Sequence, residues 1–322
     1  MIEIKGKCGI TAKVILDSIS ESGVRITTFE LVYPRMIHSE LMTHRMFSRN
    51  AASSRAIPFS KMKEQLTARP VRFGEANSGM QDKQEDFDGL VTYSQDPYTK
   101  STRTPEEAWE DAKNSALNMS EAFYEAGYHK QVYNRLTEPF QMIKTIVTAT
   151  EFANFFWLRA DVAADPSLEE LAYCMRQAYL GSVPVMLRFY DWHLPYVDMA
   201  FEDIHGTRLV ADLVQVFSLD GGIITLEDAI KVSAARCAAV SFRNEDYGLV
   251  KCLEVYTRLV GDERKHASAL EHQAMPSINL RAQPHTWEKG ISHVDRNGNF
   301  WSGNLKGWIQ YRKLIQGENH VL

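Results

Sequence analysis

The sequence predicts a water-soluble globular fold mixing strands and helices, with paired strands near the start and capped helices through the middle. Three observations carry this. Of 322 residues, 44% are hydrophobic and 24% charged, enough apolar material for a core and enough charge to solvate it. β-Forming residues gather in two early runs separated by turn chemistry. Helix-start signals then recur ahead of apolar periods. The length permits one large domain or two ordinary ones.

The elements follow in order. Lys13–Ile19 and Val24–Val32 flank the turn-like Ser20–Gly23, so a hairpin or two neighbouring strands are expected. Pro34 suits a first helical turn, and from there Ile37, Leu41, His44 and Ser48 share one helix face. Arg49–Pro58 reads as a loop leaving that helix, and Ser60 as the cap of a short helix ending before Pro70. Residues 71–103, rich in Gly, Asn, Asp, Gln and Ser, read as a long surface loop or insertion. Thr104-Pro105-Glu106-Glu107 is a strong helix start, with Gly127 beyond the expected end at Glu125. A second helix is expected over His129–Leu136. The β-branched run Phe140–Thr150 fits a strand or a buried helix, which periodicity does not separate. Glu151–Asp161 and Ser167–Tyr179 read as helices, the latter capped by Ser167 with acidic residues in its first turn. Residues 181–222 are irregular and aromatic. Leu226–Ala239 and Tyr247–Val260 read as helices, the tail from Pro276 to Gly303 is turn-rich, and Leu305–Leu314 reads as a last helix.

Bulk properties narrow the function classes. The net charge of −5 and pI near 6.1 argue against a general polyanion binder, while a local site for one nucleotide needs only a few cations. Cys8, Cys174, Cys237 and Cys252 form no CxxC pair, which argues against a disulfide framework or zinc site and for a reducing compartment. The N-terminal stretch lacks the apolar run of a signal peptide, and no apolar stretch approaches the ~20 residues of a membrane helix. A cytoplasmic location with no membrane partner is expected.

Chemistry concentrates in Thr43–Arg55, which packs three arginines, one histidine, three serines and an asparagine with no acid. Arginine forks match phosphate oxygens, and hydroxyls with loop amides complete an anion cradle. The alternative is a solvated basic helix end favoured by the helix dipole. The segment resembles the signature of flavin-dependent thymidylate synthases: Arg-His-Arg, two residues, Ser, one residue, Asn-Glu, one residue, Ser, one residue, Arg. His44, Arg45, Ser48, Asn50, Ser53 and Arg55 match, while Thr43 and Ala51 depart from the first arginine and the glutamate. The resemblance implies that His44, Arg45, Ser48 and Asn50 hold the flavin and that Ser53 and Arg55 hold the deoxyuridylate phosphate.

Two further blocks extend the likeness. Asn154-Phe155-Phe156-Trp157-Leu158-Arg159 resembles the family's Asn-Phe-x-x-Leu-Arg, implying that Asn154 touches flavin and Arg159 faces the pyrimidine carbonyls. Arg135, ahead of Pro139, resembles a second phosphate arginine. Ala238-Ala239-Val240-Ser241-Phe242 and His266-Ala267-Ser268-Ala269-Leu270-Glu271-His272 resemble Ala-Arg-Val-Ser-Phe and His-x-Ser/Thr-Pro-Phe-Glu-His. In the family both precede the arginine-rich signature, so their place here implies a divergent, circularly permuted member in which Ser241, His266, Ser268 and Glu271 serve the flavin. A metal site built from the two histidines and the glutamate is the competing reading, and no metal is expected.

By resemblance the fold is α+β, with mixed helices around a small antiparallel-rich sheet. Residues 1–220 would form a nucleotide- and flavin-binding core carrying the 71–103 insertion, with 221–322 as the displaced flavin-binding part. The implied activity is reductive methylation of dUMP to dTMP, with FAD as cofactor and methylenetetrahydrofolate and NADPH as co-substrates. A homotetramer with sites formed between subunits is implied as well. Arg159 and Ser53 would stand nearest the reacting base, Ser53 in binding rather than attack because only His44 could serve it as a base. Alternatives are hydroxymethylation or action on dCMP, a nucleophilic Cys174 or Cys237 as in the folate-only thymidylate synthases, and a nucleic-acid binder using Arg45, Arg49 and Arg55.

Overall fold

The computed structural model describes residues 2–83, 85–94, 98–203, 213–240, 247–261, 263, 265–278 and 287–319. Over these it is a mixed α/β structure with one six-stranded sheet, four small antiparallel sheets and eight α-helices. Strands β1 (Glu3–Lys5), β2 (Thr11–Ser20) and β3 (Arg25–Pro34) lie side by side, as the two β-rich runs predicted. Next come α1 (His38–Leu41), β4 (Ser48–Ala51) and α2 (Phe59–Lys63). The stretch 71–103 is mostly irregular. It is tied by an Arg72–Asp82 ion pair at 2.7 Å and carries the hairpin β5 (Val91–Ser94) and β6 (Lys100–Arg103).

Helix α3 (Pro105–Glu125) begins where the sequence predicts, with Thr104 and Glu107 forming a reciprocal capping box. It packs with α4 (Lys130–Leu136) and α2 over a satellite core of Phe59, Met62, Leu66, Tyr133 and Phe140. The run left open at Phe140–Thr150 is β7 (Met142–Ala149), which inserts between β3 and β4 to give the order β1-β2-β3-β7-β4. Its burial on both faces explains why it shows no alternation.

Alternate residues of β3 and β7 face opposite layers. On one face Phe29, Leu31, Tyr33, Ile143, Val147 and Ala149 pack against α5 (Ala153–Arg159) and α6 (Pro166–Gly181) through Phe155, Leu168, Leu171 and Met175. After β8 (Val185–Leu187), parallel to β2, come β9 (Asp198–Asp203), β10 (Leu213–Leu219) and β11 (Gly222–Ile224). Helices α7 (Leu226–Ala239) and α8 (Leu249–Val260) follow, then β12 (Ala274–Pro276), β13 (His293–Val294), β14 (Phe300–Ser302), β15 (Leu305–Lys306) and β16 (Trp308–Gln310). This later part covers the other face of the large sheet. Ile26 packs with Ala274, Leu305 and Trp308, and Ile146 packs with Cys237 and Val240.

A chain of buried hydrogen bonds joins that face to its cover. Ser18 Oγ meets His193 Nδ1 at 2.9 Å and Thr28 Oγ1 meets His193 Nε2 at 2.8 Å. Thr28 then meets Thr148 at 2.7 Å, and Thr148 meets His272 Nδ1 at 2.8 Å. Burial holds both imidazoles neutral, pushing each down to about 3.

Five sequence expectations need correction. The helix opened after Pro34 does not reach Ser48: it is a 3-10 turn at Arg35–Ile37 followed by α1, which ends at Leu41. Arg49 reaches back to the carbonyl oxygens of Leu41, Met42 and His44 at 3.3, 2.8 and 3.3 Å, capping the helix end with a cation. Ser48–Ala51 then pairs with Thr145–Thr148 instead of forming helix or loop, so the ladder to β7 overrides the 3.6-residue period. Leu305–Leu314 is helical only at its end, as a 3-10 turn over Tyr311–Leu314: before it Gly303 and Gly307, at φ +59° and +68°, turn the chain tightly into β15 and β16. Asp165, not Ser167, caps α6, its carboxylate accepting from the N–H groups of Ser167 and Leu168 at 2.8 and 3.2 Å. Ser60 lies inside α2 and does not cap it.

Candidate functional site

The edge strand β4 is the hub. Its alternation aims Arg49 toward the helical layer and Ser48 and Asn50 toward the later part of the chain. Ser48 is fully buried; its hydroxyl donates to Asn304 Oδ1 at 3.1 Å and accepts from Gln310 Nε2 at 3.3 Å. It therefore ties two layers together rather than facing a cleft. Asn50 donates to the Cys237 carbonyl oxygen at 3.3 Å, which leaves its amide oxygen as the group it can offer a ligand.

Asn50 opens onto a cleft of about 550 Å³, a size suited to a small-molecule site. Ala238, Ala239 and Ala269 line it with small side chains, Val255 and Leu259 add apolar surface, and His266, Ser268, Tyr247 and Arg258 contribute polar groups. Residues that the sequence placed at one cofactor from far-apart segments, Asn50 with His266 and Ser268, thus line one cleft. Glu271 does not line it. Its carboxylate pairs with Arg312, and its carbonyl oxygen accepts from Gln310 at 3.2 Å. Ser241 lies outside the described residues. No acid is among the ten described lining residues, so this lining suits a largely apolar group bearing negative charge.

A second patch joins His44 to Arg159. The guanidinium Nε–H donates to His44 Nε2 at 3.0 Å, and the imidazole stands edge-on to Phe155 with centroids 4.8 Å apart. Burial, then the charges of Arg159 and Arg49, lower the His44 pKa, so the ring is neutral at pH 7 and can accept that bond. The bond fixes the arginine through Nε, leaving its terminal nitrogens to recognise a carbonyl or carboxylate. Asn154 is exposed in the first turn of the same helix.

The third patch is the turn after β4. Asn134 of α4 donates to the carbonyl oxygens of Ser54 and Ile57 at 2.8 and 2.9 Å, Lys130 donates to that of Ala56 at 3.2 Å, and Ser54 donates to Glu138 at 2.5 Å. These bonds clamp the turn carrying Ser53 and Arg55 onto the helix carrying Arg135. Arg55 and Arg135 are exposed, and neither is ion-paired with a described residue. Arg45 is likewise exposed.

Sequence reasoning missed Tyr247, Arg258 and the capping role of Arg49. The apolar face of α8 offered the only signal for the first two. The cysteines make poor nucleophiles: burial pushes Cys174 up to about 11 and Cys237 higher still. Among the described residues no three potential metal ligands gather, and no helix is long and apolar enough to cross a membrane. Neither the known protein families nor the curated proteins compared with this sequence match it.

Proposed function

We propose that the chain is a flavin-dependent thymidylate synthase-like enzyme that methylates dUMP reductively, using methylenetetrahydrofolate and NADPH. The observation that carries this reading is the shared cleft of Asn50, His266 and Ser268, with Asn50 on the strand that leads into the turn presenting Ser53 and Arg55. The described lining, with three alanines and no acid, fits FAD. Bound there, flavin supplies the redox chemistry, and the protein supplies position and charge.

The chain's own residues divide that work. Ser53, Arg55 and Arg135 hold the nucleotide phosphate, and binding energy at that end orients the base. Arg159, held by His44, stabilises negative charge on a pyrimidine carbonyl oxygen as electron density moves onto C5. Asn50, His266 and Ser268 offer hydrogen bonds to the flavin ring. The homotetramer belongs to the same proposal, with sites completed by a second copy.

Thr43 and Ala51 favour a second reading, in which the same site hydroxymethylates or acts on dCMP. Thr43 donates to the Glu40 carbonyl oxygen at 2.7 Å and brings no cation where the family signature has arginine. The test starts with flavin: purified chain should show flavin absorbance, or acquire it on adding FAD. It should then convert dUMP with the folate donor and NADPH to a product carrying a methyl group in place of the C5 hydrogen, a net gain of CH2 by mass. A chain that never takes up flavin rules out both readings, and a hydroxymethyl mass, or turnover of dCMP alone, selects the second.

A further inference from the structure

Among its described lining residues the cleft has no acid and one permanent cation, Arg258, in the last turn of α8. Arg258 is exposed and makes no salt bridge to a described carboxylate. Glu254, one turn back, is held below its ordinary range first by Lys251, its hydrogen-bonded partner at 2.8 Å, and only weakly by Arg258. A cation at a helix C-terminus can simply favour the helix dipole. Two things go beyond that: none of the described residues lining the cleft with it is acidic, and Ala239 is one of them. Ala239 stands where the resembled Ala-Arg-Val-Ser-Phe motif has its arginine, is fully buried, and lines the same cleft.

We infer that Arg258 is the anion anchor of this cleft: it replaces, from α8, the cation that α7 lacks at Ala239, and it grips the diphosphate of a flavin dinucleotide. The inference rests on the flavin reading and deepens it. The alanine and aliphatic lining accepts the ring system, while the exposed guanidinium selects the ligand's phosphate-bearing end, since its planar fork matches phosphate oxygens in pairs. The cleft therefore distinguishes phosphorylated flavins from riboflavin through one exposed residue of α8.

The test measures FAD and riboflavin affinity by fluorescence for the wild type, Arg258→Ala and Arg258→Lys, with circular dichroism as the folding control. Loss of one charge-assisted phosphate contact should weaken FAD by about tenfold or more in Arg258→Ala. Riboflavin should bind both proteins equally, Arg258→Lys should fall between, and added salt should weaken FAD more for the wild type than for Arg258→Ala. Unchanged FAD affinity in Arg258→Ala overturns the inference while leaving the flavin reading intact, as does an equal loss for riboflavin. A wild type that binds neither flavin fails the underlying reading instead.

Discussion

Arg159 and His44 depend on each other, and that dependence can be measured. Their bond needs a neutral imidazole, and the folded-state pKa of His44 lies below its ordinary 6.5. As pH falls through that lowered value the ring gains a proton, the acceptor is lost, and Arg159 faces a like charge. The kcat/KM profile should therefore drop on its acid side, and His44→Gln, which keeps an acceptor, should flatten that limb and retain more activity than His44→Ala. Arg159→Lys keeps the charge but loses the Nε tether, so kcat/KM should fall by about tenfold or more in steady-state assays. Elsewhere, Arg25 holds the buried Asp17 with two bonds of 2.8 and 2.5 Å and lies 3.7 Å over the Tyr179 ring. Arg25→Met leaves that carboxylate unpaired, and chemical denaturation should show a loss of about 3–5 kcal/mol. At this scale Asn50 and Ser53 stood in a segment marked by its residue types, and Arg159 was singled out by its resemblance to a family motif. The sequence did not show Arg49 as a helix cap, because that role requires β4 to lie beside the end of α1.

At the level of elements, the histidine chain between the sheet and its cover sets acid stability. His193 and His272 are pushed down to about 3, while an unfolded chain titrates near 6.5. Their stabilising contribution is complete above 6.5 and is lost as pH falls toward 3, because only the unfolded state takes up protons in that window. The loss should be about 2 kcal/mol per histidine between pH 6.5 and 5. Urea midpoints across that range should decline, and His272→Gln should decline less steeply than the wild type. In α3, Thr104→Ala removes a capping box and should cost about 1 kcal/mol in the same measurement. Helices whose caps and periods are local, α3 and α7, were legible with nearly their true ends. The strands β4, β15 and β16 were not, because their partners lie far along the chain and their own residues permit a helical reading.

Across the whole molecule, α5, α6 and the link between them carry exposed apolar side chains. Trp157 is 76% exposed, Val162 53% and Tyr173 52%. Scattered exposed apolar residues are ordinary, but a group of this size on adjoining elements suits contact with another protein surface. If a second copy covers it, light scattering should report an oligomer, and Trp157→Glu should shift the distribution toward monomer. A monomeric wild type removes the shared-site part of the proposed function.

The order in which the chain is made gives the two faces of the large sheet different histories. The face against α5 and α6 is complete once residue 181 has emerged. The opposite face, with Ile26, Thr28, Ile146 and Thr148, waits for residues between His193 and Trp308. At ribosomal speeds of about 5–20 residues per second, that is an interval on the order of ten seconds. Through it, one face of a β-sheet stands bare with its hydroxyls lacking their histidine partners, a natural landing place for a chaperone and the point at which an interrupted synthesis would aggregate.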